Sequence, residues 1–141
     1  MQAKPASMTG ETNLTQLLNS MTPMLDPIEY VFVSTPAPKL PLLLTAIGMF
    51  REAEGITLIL PRNEADKAGL SYAASFERIT LTVHSSLEAV GLTAAVATAL
   101  AQHGIACNAV AAYYHDHLFV PMGRGPTALT VLQALSATTN P

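Results

Sequence analysis

His115-Asp116-His117 sets two imidazoles around a carboxylate within three residues. On an extended chain the side chains at i and i+2 point the same way. His115 and His117 could therefore ligate one metal ion, with His84 or Asp116 completing the set. The competing reading is a hairpin turn whose polar residues satisfy the backbone, Asp being a favoured turn former. Structural zinc usually shows four recognisable ligands, often with cysteine, and this chain has a single cysteine, Cys107. Lining a small-molecule pocket is placed ahead of metal binding as the functional reading of the cluster. Arg51, Glu52 and Glu54 form a second group. Glu52 and Glu54 would share a strand face, which admits paired-carboxylate acid/base work. A solvated edge or an ion pair with Arg51 is the simpler reading, and Arg51 could alternatively hold a ligand carboxylate. The third group is a loop, His84-Ser85-Ser86-Leu87-Glu88, opening onto a helix entry at Ala89-Val90-Gly91-Leu92-Thr93. First-turn N–H groups have no partner within a helix, so such a junction can hold a small anion or carboxylate.

Other motifs carry no chemistry. Met122-Gly-Arg-Gly-Pro126 matches neither a Walker loop nor an acetyltransferase pyrophosphate loop, and Pro126 lacks an N–H such a loop would use. It reads as the turn into the last helix. No Gly-x-Ser-x-Gly elbow or Cys–His pairing is present, and no cofactor is called for. Cys107, among apolar neighbours, reads as a buried small hydrophobe in a strand. One cysteine permits no intramolecular disulfide, which suits a reducing compartment.

The elements that must position these groups follow from composition and periodicity. The 141 residues make one domain or two very small ones sharing a core. Half are hydrophobic and only 12% are charged, about half the usual charged fraction. A homo-oligomer, read as a homodimer, would bury part of that apolar surplus. The net charge of −3 and the scattered Lys and Arg argue against a nucleic-acid partner. No signal peptide is visible, and Leu40–Met49 and the Ala-rich run at 89–101 are too short to span a bilayer. The expectation is a protein without a membrane partner, in the cytoplasm.

Residues 1–12 read as a flexible tail. Leu14, Leu17, Leu18 and Met21 are spaced for a one-sided helix, with Asn13 as cap and Gln16 in the reciprocal position. Pro23 and Pro27 stop it, and Ile28–Ser34 reads as a strand. Pro36, Pro38 and Pro41 make a rigid connection, after which Leu42–Ala46 is ambiguous between strand and helix. Residues 46–51 and 56–60 read as a hairpin turned at Gly55. Asn63 caps a brief helix over Glu64–Ala68, ended by Gly69. Arg78–His84 alternates as a half-buried strand, and Glu88–His103 is helical, with Leu92, Val96 and Leu100 on one face and Gly104 as its stop. Ile105–Tyr114 and Leu118–Pro121 are strands around the histidine cluster. Ala128, Val131, Leu132 and Leu135 mark a last helix. Each half is therefore close to a β-α-β-β-α-β unit of the ferredoxin-like type. The second lacks a closing strand, which Ile28–Ser34 could supply by exchange.

On these residues the stretch His84–Pro121 resembles the ACT domain, the ligand-binding unit attached to many enzymes of amino-acid metabolism. Ser86-Leu87-Glu88-Ala89-Val90-Gly91-Leu92 is similar to the paired ACT units of amino-acid kinases and of arginine sensors. The whole chain, through Phe50–Thr57 and Tyr113–Pro121, resembles small free-standing bacterial proteins of two ACT units. The resemblance implies an α+β fold of tandem ferredoxin-like βαββαβ units, residues 13–73 and 74–141, sharing an antiparallel sheet with helices on one face. It also implies a non-catalytic regulatory protein binding a small amino acid or related carboxylate where units meet. Ser85, Ser86, Val90, Gly91, Leu92 and Thr93 match the ligand-contacting loop and helix entry, and Ile105 and Asn108 the contributing strand. Glu88 or Asp116 could accept from an ammonium group. The loop departs from the commonest ACT pattern, an acidic residue with Pro-Gly. Two alternatives stay open: a small metal-binding enzyme using His84, His115, Asp116 and His117, and a purely structural dimerisation module.

Overall fold

The computed structural model describes residues 13–82 and 91–138. Its first helix, α1 (Leu14–Ser20), starts where Asn13 caps it, the side-chain Oδ1 accepting from the Gln16 N–H at 3.1 Å. That satisfies one of the amides a helix start leaves open. Leu17, Leu18 and Met21 are buried on the face their spacing predicts. Strand β1 (Pro23–Thr35) then begins well before Ile28, the expected start. Pro27 lies inside it, at a register shift between Leu25 and Glu29 in the pairing with β4. A proline has no N–H for the ladder, and such an irregularity is where a strand can hold one.

The ambiguous segment is a short helix, α2 (Leu40–Thr45), with Pro41 in its first turn. Strands β2 (Gly48–Glu52) and β3 (Gly55–Pro61) form the expected hairpin. Glu54 sits in its turn, so Glu52 and Glu54 do not share a strand face. Glu52 instead accepts a hydrogen bond from the Thr57 hydroxyl. Helix α3 (Arg62–Lys67) follows β3 without a break and starts on Pro61 rather than Asn63, with no side-chain cap. Gly69, at φ +68°, ends it as expected.

The second half repeats the order: β4 (Ser75–Leu81), α4 (Leu92–Gln102), β5 (Asn108–Ala111), β6 (Asp116–Pro121) and α5 (Gly125–Thr138). The expected strand over Ile105–Tyr114 is shorter at both ends. Ile105 is buried as the chain leaves α4, and Ala112–His115 forms a turn closed by the Ala112 N–H on the His115 carbonyl at 3.1 Å.

The six strands among the described residues join one antiparallel sheet in the order β2-β3-β1-β4-β6-β5. Its centre is the β1–β4 pair, so the two halves meet strand to strand. Side chains alternate across a strand, and residues directly opposite share a face. Val31, Val33, Leu58, Leu60, Ile79, Leu81, Leu118 and Val120 point to the helices. The larger core gathers Ile79, Leu81, Leu118 and Val120 with α1, α4 and α5; the smaller one gathers Val31, Val33, Leu58 and Leu60 with Ala65 of α3 and Leu42 of α2. All the described helices thus cover one face. The other carries an aromatic floor in which Tyr30, Phe32, Phe76 and Phe119 pack edge to face, with ring centres 5.3–6.0 Å apart. None of the described helices is long and apolar enough to cross a membrane.

Candidate functional site

Of the residues singled out in the sequence, His84, Ser85, Ser86, Glu88 and Val90 lie outside the described residues. Gly91 opens α4 with φ +101°, and a Cβ there would lie 3.1 Å from Leu14 Cδ2. Both the backbone angle and the approach of α1 therefore favour glycine at this junction. Leu92 buries its side chain in the core and Thr93 is exposed. Ile105 is also a core residue, leaving only its backbone for a ligand. Asn108 starts the exposed edge strand β5, its Nδ2 3.5 Å from the Phe119 carbonyl. A small apolar cleft of about 180 Å³ lies beside it on the open face, against Phe32 and Phe76. Arg51 sits on β2, at the opposite edge of the sheet. Five strand spacings make that separation on the order of 20 Å, so one chain does not bring Arg51 to Asn108 or His115.

The histidine cluster is divided by the turn. His115 belongs to the turn, Asp116 starts β6 with its side chain buried, and His117 follows on the open face. His115 and His117 are thus not neighbours on an extended strand. Among the described residues no three His, Cys, Asp or Glu side chains converge as a metal site would require. His117 Nδ1 lies 3.1 Å from the Thr80 hydroxyl on the paired strand. Burial, then the charges of Arg78 and His115, hold the His117 pKa below its usual 6.5. Burial pushes the Asp116 carboxyl the other way, upward, against a smaller opposing pull from His115. Proton NMR titration should accordingly find His117 neutral at pH 7, with its midpoint below 6.5. A midpoint above 6.5 would mean that a carboxylate outside this geometry reaches the ring.

Met122–Pro126 is the turn into the last helix. Glu77 Oε1 accepts from the N–H groups of Gly123 at 2.8 Å and Gly125 at 2.9 Å. The chain's own carboxylate occupies the place an anion would take, and a Cβ at Gly125 would strike it at 2.6 Å. Cys107 is half-buried before β5 rather than within a strand, and burial raises its thiol pKa.

A larger cleft, of about 420 Å³, opens on the helical side of the first half. It lies between the connection from β1 to α2 and the C-terminal end of α3. Ala37, Pro38, Pro41, Leu42, Ala68 and Leu70 make its apolar wall, while Thr35, Lys39, Glu64 and Lys67 bring polar groups to it. Lys67 Nζ is 3.5 Å from Glu64 Oε1, one helical turn away. Two cations, one carboxylate and a hydroxyl over an apolar wall suit a small zwitterion with an apolar side chain. The sequence reading did not single out these four residues. The available signal was positional: 36–39 links a first strand to a first helix, as 82–91 does in the second half.

Residues 9–77 match one model of the ACT domain, and residues 77–134 match a second. Among solved structures the chain is similar to a Vibrio cholerae protein of unknown function described as a possible transport protein. The two are 48% identical over 87% of this chain and 95% of that one, with a TM-score of 0.78. An Agrobacterium tumefaciens protein is 12% identical over 82% of this chain and 89% of its own, with a TM-score of 0.67. The regulatory subunit of aspartate kinase from Thermus flavus is 9% identical over 80% and 95%, with a TM-score of 0.60. Likeness at such low identity shows the fold alone. No curated protein matches the chain.

Proposed function

Because this chain belongs to the ACT-domain family, with matches that together run from residue 9 to residue 134, we propose that it is a non-catalytic regulator that binds a small amino acid or related carboxylate. The observation that carries the ligand class is the 420 Å³ cleft, with Lys39 and Lys67 available to a carboxylate and Glu64 to an ammonium group. In the second half, the corresponding strand-to-helix connection and helix entry carry Ser85, Ser86, Val90, Gly91, Leu92 and Thr93, the residues the family resemblance selects, with Glu88 beside them as a candidate acceptor for an ammonium group. On this reading each unit, 13–73 and 74–141, offers a site at its first strand-to-helix junction. Asn108, His115, Asp116 and Arg51 could contribute only across an interface or through a neighbouring unit. The sparse charge of the chain also supports self-association as a homodimer, and its single unpaired cysteine supports a cytoplasmic setting.

A thermal-shift screen of the twenty amino acids and common carboxylates, followed by calorimetry, tests the proposal. A selective binder at 100 times its Kd should add about 2.7 kcal/mol of stability, which moves the Tm by several degrees. Lys39→Glu should abolish the response if the first cleft is the site, and Gly91→Asp if the second is. A hit insensitive to both changes would place the ligand elsewhere. No hit at millimolar ligand would end the sensor reading.

A further inference from the structure

The open face of the sheet carries a cleft that neither strand-to-helix junction uses. Phe32, Ala73, Ala74, Phe76 and Asn108 line it, and none of the five is charged. Phe32 and Phe76 meet at 73° with ring centres 5.3 Å apart, so a face and an edge form a corner. Phe32 also packs against Phe119 at 86°, which fixes its ring. Both corner rings are only partly buried. Ala73 and Ala74 belong to the connection before β4 and present only methyl groups, so nothing bulky closes the corner. Asn108 stands at the rim. Its Nδ2 is 3.5 Å from the Phe119 carbonyl, beyond the usual range of an N–H···O bond, and among the described residues its Oδ1 accepts no hydrogen bond. The carboxamide therefore keeps a donor and an acceptor to offer.

We propose that this cleft binds one neutral planar ring carrying adjacent N–H and C=O groups, the chemistry of a pyrimidine base, free or within a nucleoside. Size sets the number of rings. A dry cavity of about 150 Å³ takes one benzene molecule, whereas drug-sized ligands need about 300 Å³ or more. At about 180 Å³ this cleft suits a single ring. The aromatic corner sets the shape, because a flat ligand can stack on one ring and meet the edge of the other, the two arrangements aromatic pairs prefer. Asn108 sets the hydrogen bonding: a carboxamide pairs in plane with a lactam edge, donor to acceptor and acceptor to donor. The uncharged lining selects a neutral ring over a carboxylate or phosphate, which would lose its solvation without gaining a partner. The ammonium and carboxylate of an amino acid would likewise lie unpaired here. This site is therefore separate from the two clefts on the helical side.

NMR titration of the full chain with uracil tests this. The Phe32 and Phe76 ring signals and the Asn108 side-chain amide should shift together and saturate in the millimolar range, the strength expected of a ligand with few atoms. Dimethyluracil, methylated on both ring nitrogens, keeps the ring but has no N–H. It should bind about tenfold more weakly, and Asn108→Ala should weaken uracil by a similar factor, as the loss of two modest hydrogen bonds implies. Ala74→Trp should fill the cleft and abolish the shifts. Both positions are exposed, so far-UV circular dichroism should be native in each variant. Lys39→Glu should leave uracil binding unchanged, which keeps this test independent of the amino-acid reading. Uridine binding as tightly as uracil would identify a nucleoside as the source and weaker binding a free base; the site stands in either case. No shift at tens of millimolar uracil, equal binding of dimethyluracil, or shifts that survive Ala74→Trp would each overturn the proposal.

Discussion

Leu17→Ala should cost about 2–5 kcal/mol in urea unfolding, although Leu17 lies in a seven-residue helix at the edge of the described chain. Such a helix has little stability of its own, and only tertiary packing could make its truncation costly. Leu17 is fully buried, together with Ile79, Leu100, Leu118 and Leu132 of the second half. Ser136 of α5 also donates to the Leu18 carbonyl at 2.7 Å. Truncating the isobutyl side chain to a methyl leaves a cavity between elements that cannot all close on it. A loss below about 1 kcal/mol, the range of an exposed site, would show that α1 is only loosely attached.

Asp26→Ala should cost about 2–3 kcal/mol at pH 7, because it strands several partners at once. The Asp26 carboxylate accepts from the Ile28 N–H at 2.9 Å and the Tyr30 hydroxyl at 2.7 Å. It also accepts from Arg78, at 2.6 Å from Nη2 and 3.2 Å from Nε. Arg78 and Asp26 are mostly buried, and the guanidinium lies 5.2 Å from the centre of the Tyr30 ring. Burial alone would raise the Asp26 pKa, but the bonds from Ile28, Tyr30 and Arg78 outweigh it and the net shift is downward. Burial and the same carboxylate push the Tyr30 hydroxyl up to about 12. For Asp26 the folded pKa is below the unfolded one. Its contribution is therefore complete above the unfolded value, near 4, and is lost as pH falls through the folded value. Asp116 has the opposite sign: its raised folded pKa makes protonation favour the native state as pH falls. His117, lowered, sides with Asp26 and loses stability below about pH 6.5. Asp26→Asn should therefore flatten the stability–pH curve below pH 4, while Asp116→Asn should steepen the fall in stability just above pH 4, between the unfolded value and the raised folded one. If Asp26→Asn left the curve unchanged, the Asp26–Arg78 pair would contribute nothing in solution.

What could be read from the sequence was what depends on neighbours along the chain. The Asn13 cap, the Ile79 and Leu81 alternation, and the Leu92, Val96 and Leu100 face each rest on a handful of consecutive residues. Pro27 misled because a proline marks a helix stop and a tolerated bulge by the same missing N–H, and only the partner strand distinguishes the two. Strand order was illegible for a different reason. Arg51 and Asn108 look alike as exposed polar residues of strands, yet they occupy opposite edges of one sheet. Lys39, Glu64 and Lys67 belong to one cleft only because α2 and α3 flank β1 and β3. No local pattern records that.

The β1–β4 pair at the centre of the sheet restricts how this protein can be cut or recombined. A free-standing first half would bare the edge of β1, thirteen residues long, and a free-standing second half would bare β4 and lose the α1 leucines from its core. Each fragment would be an aggregation hazard. The smallest transferable cassette, for gene fusion in nature or for grafting in the laboratory, is therefore the doubled unit, although its repeat invites division at the midpoint.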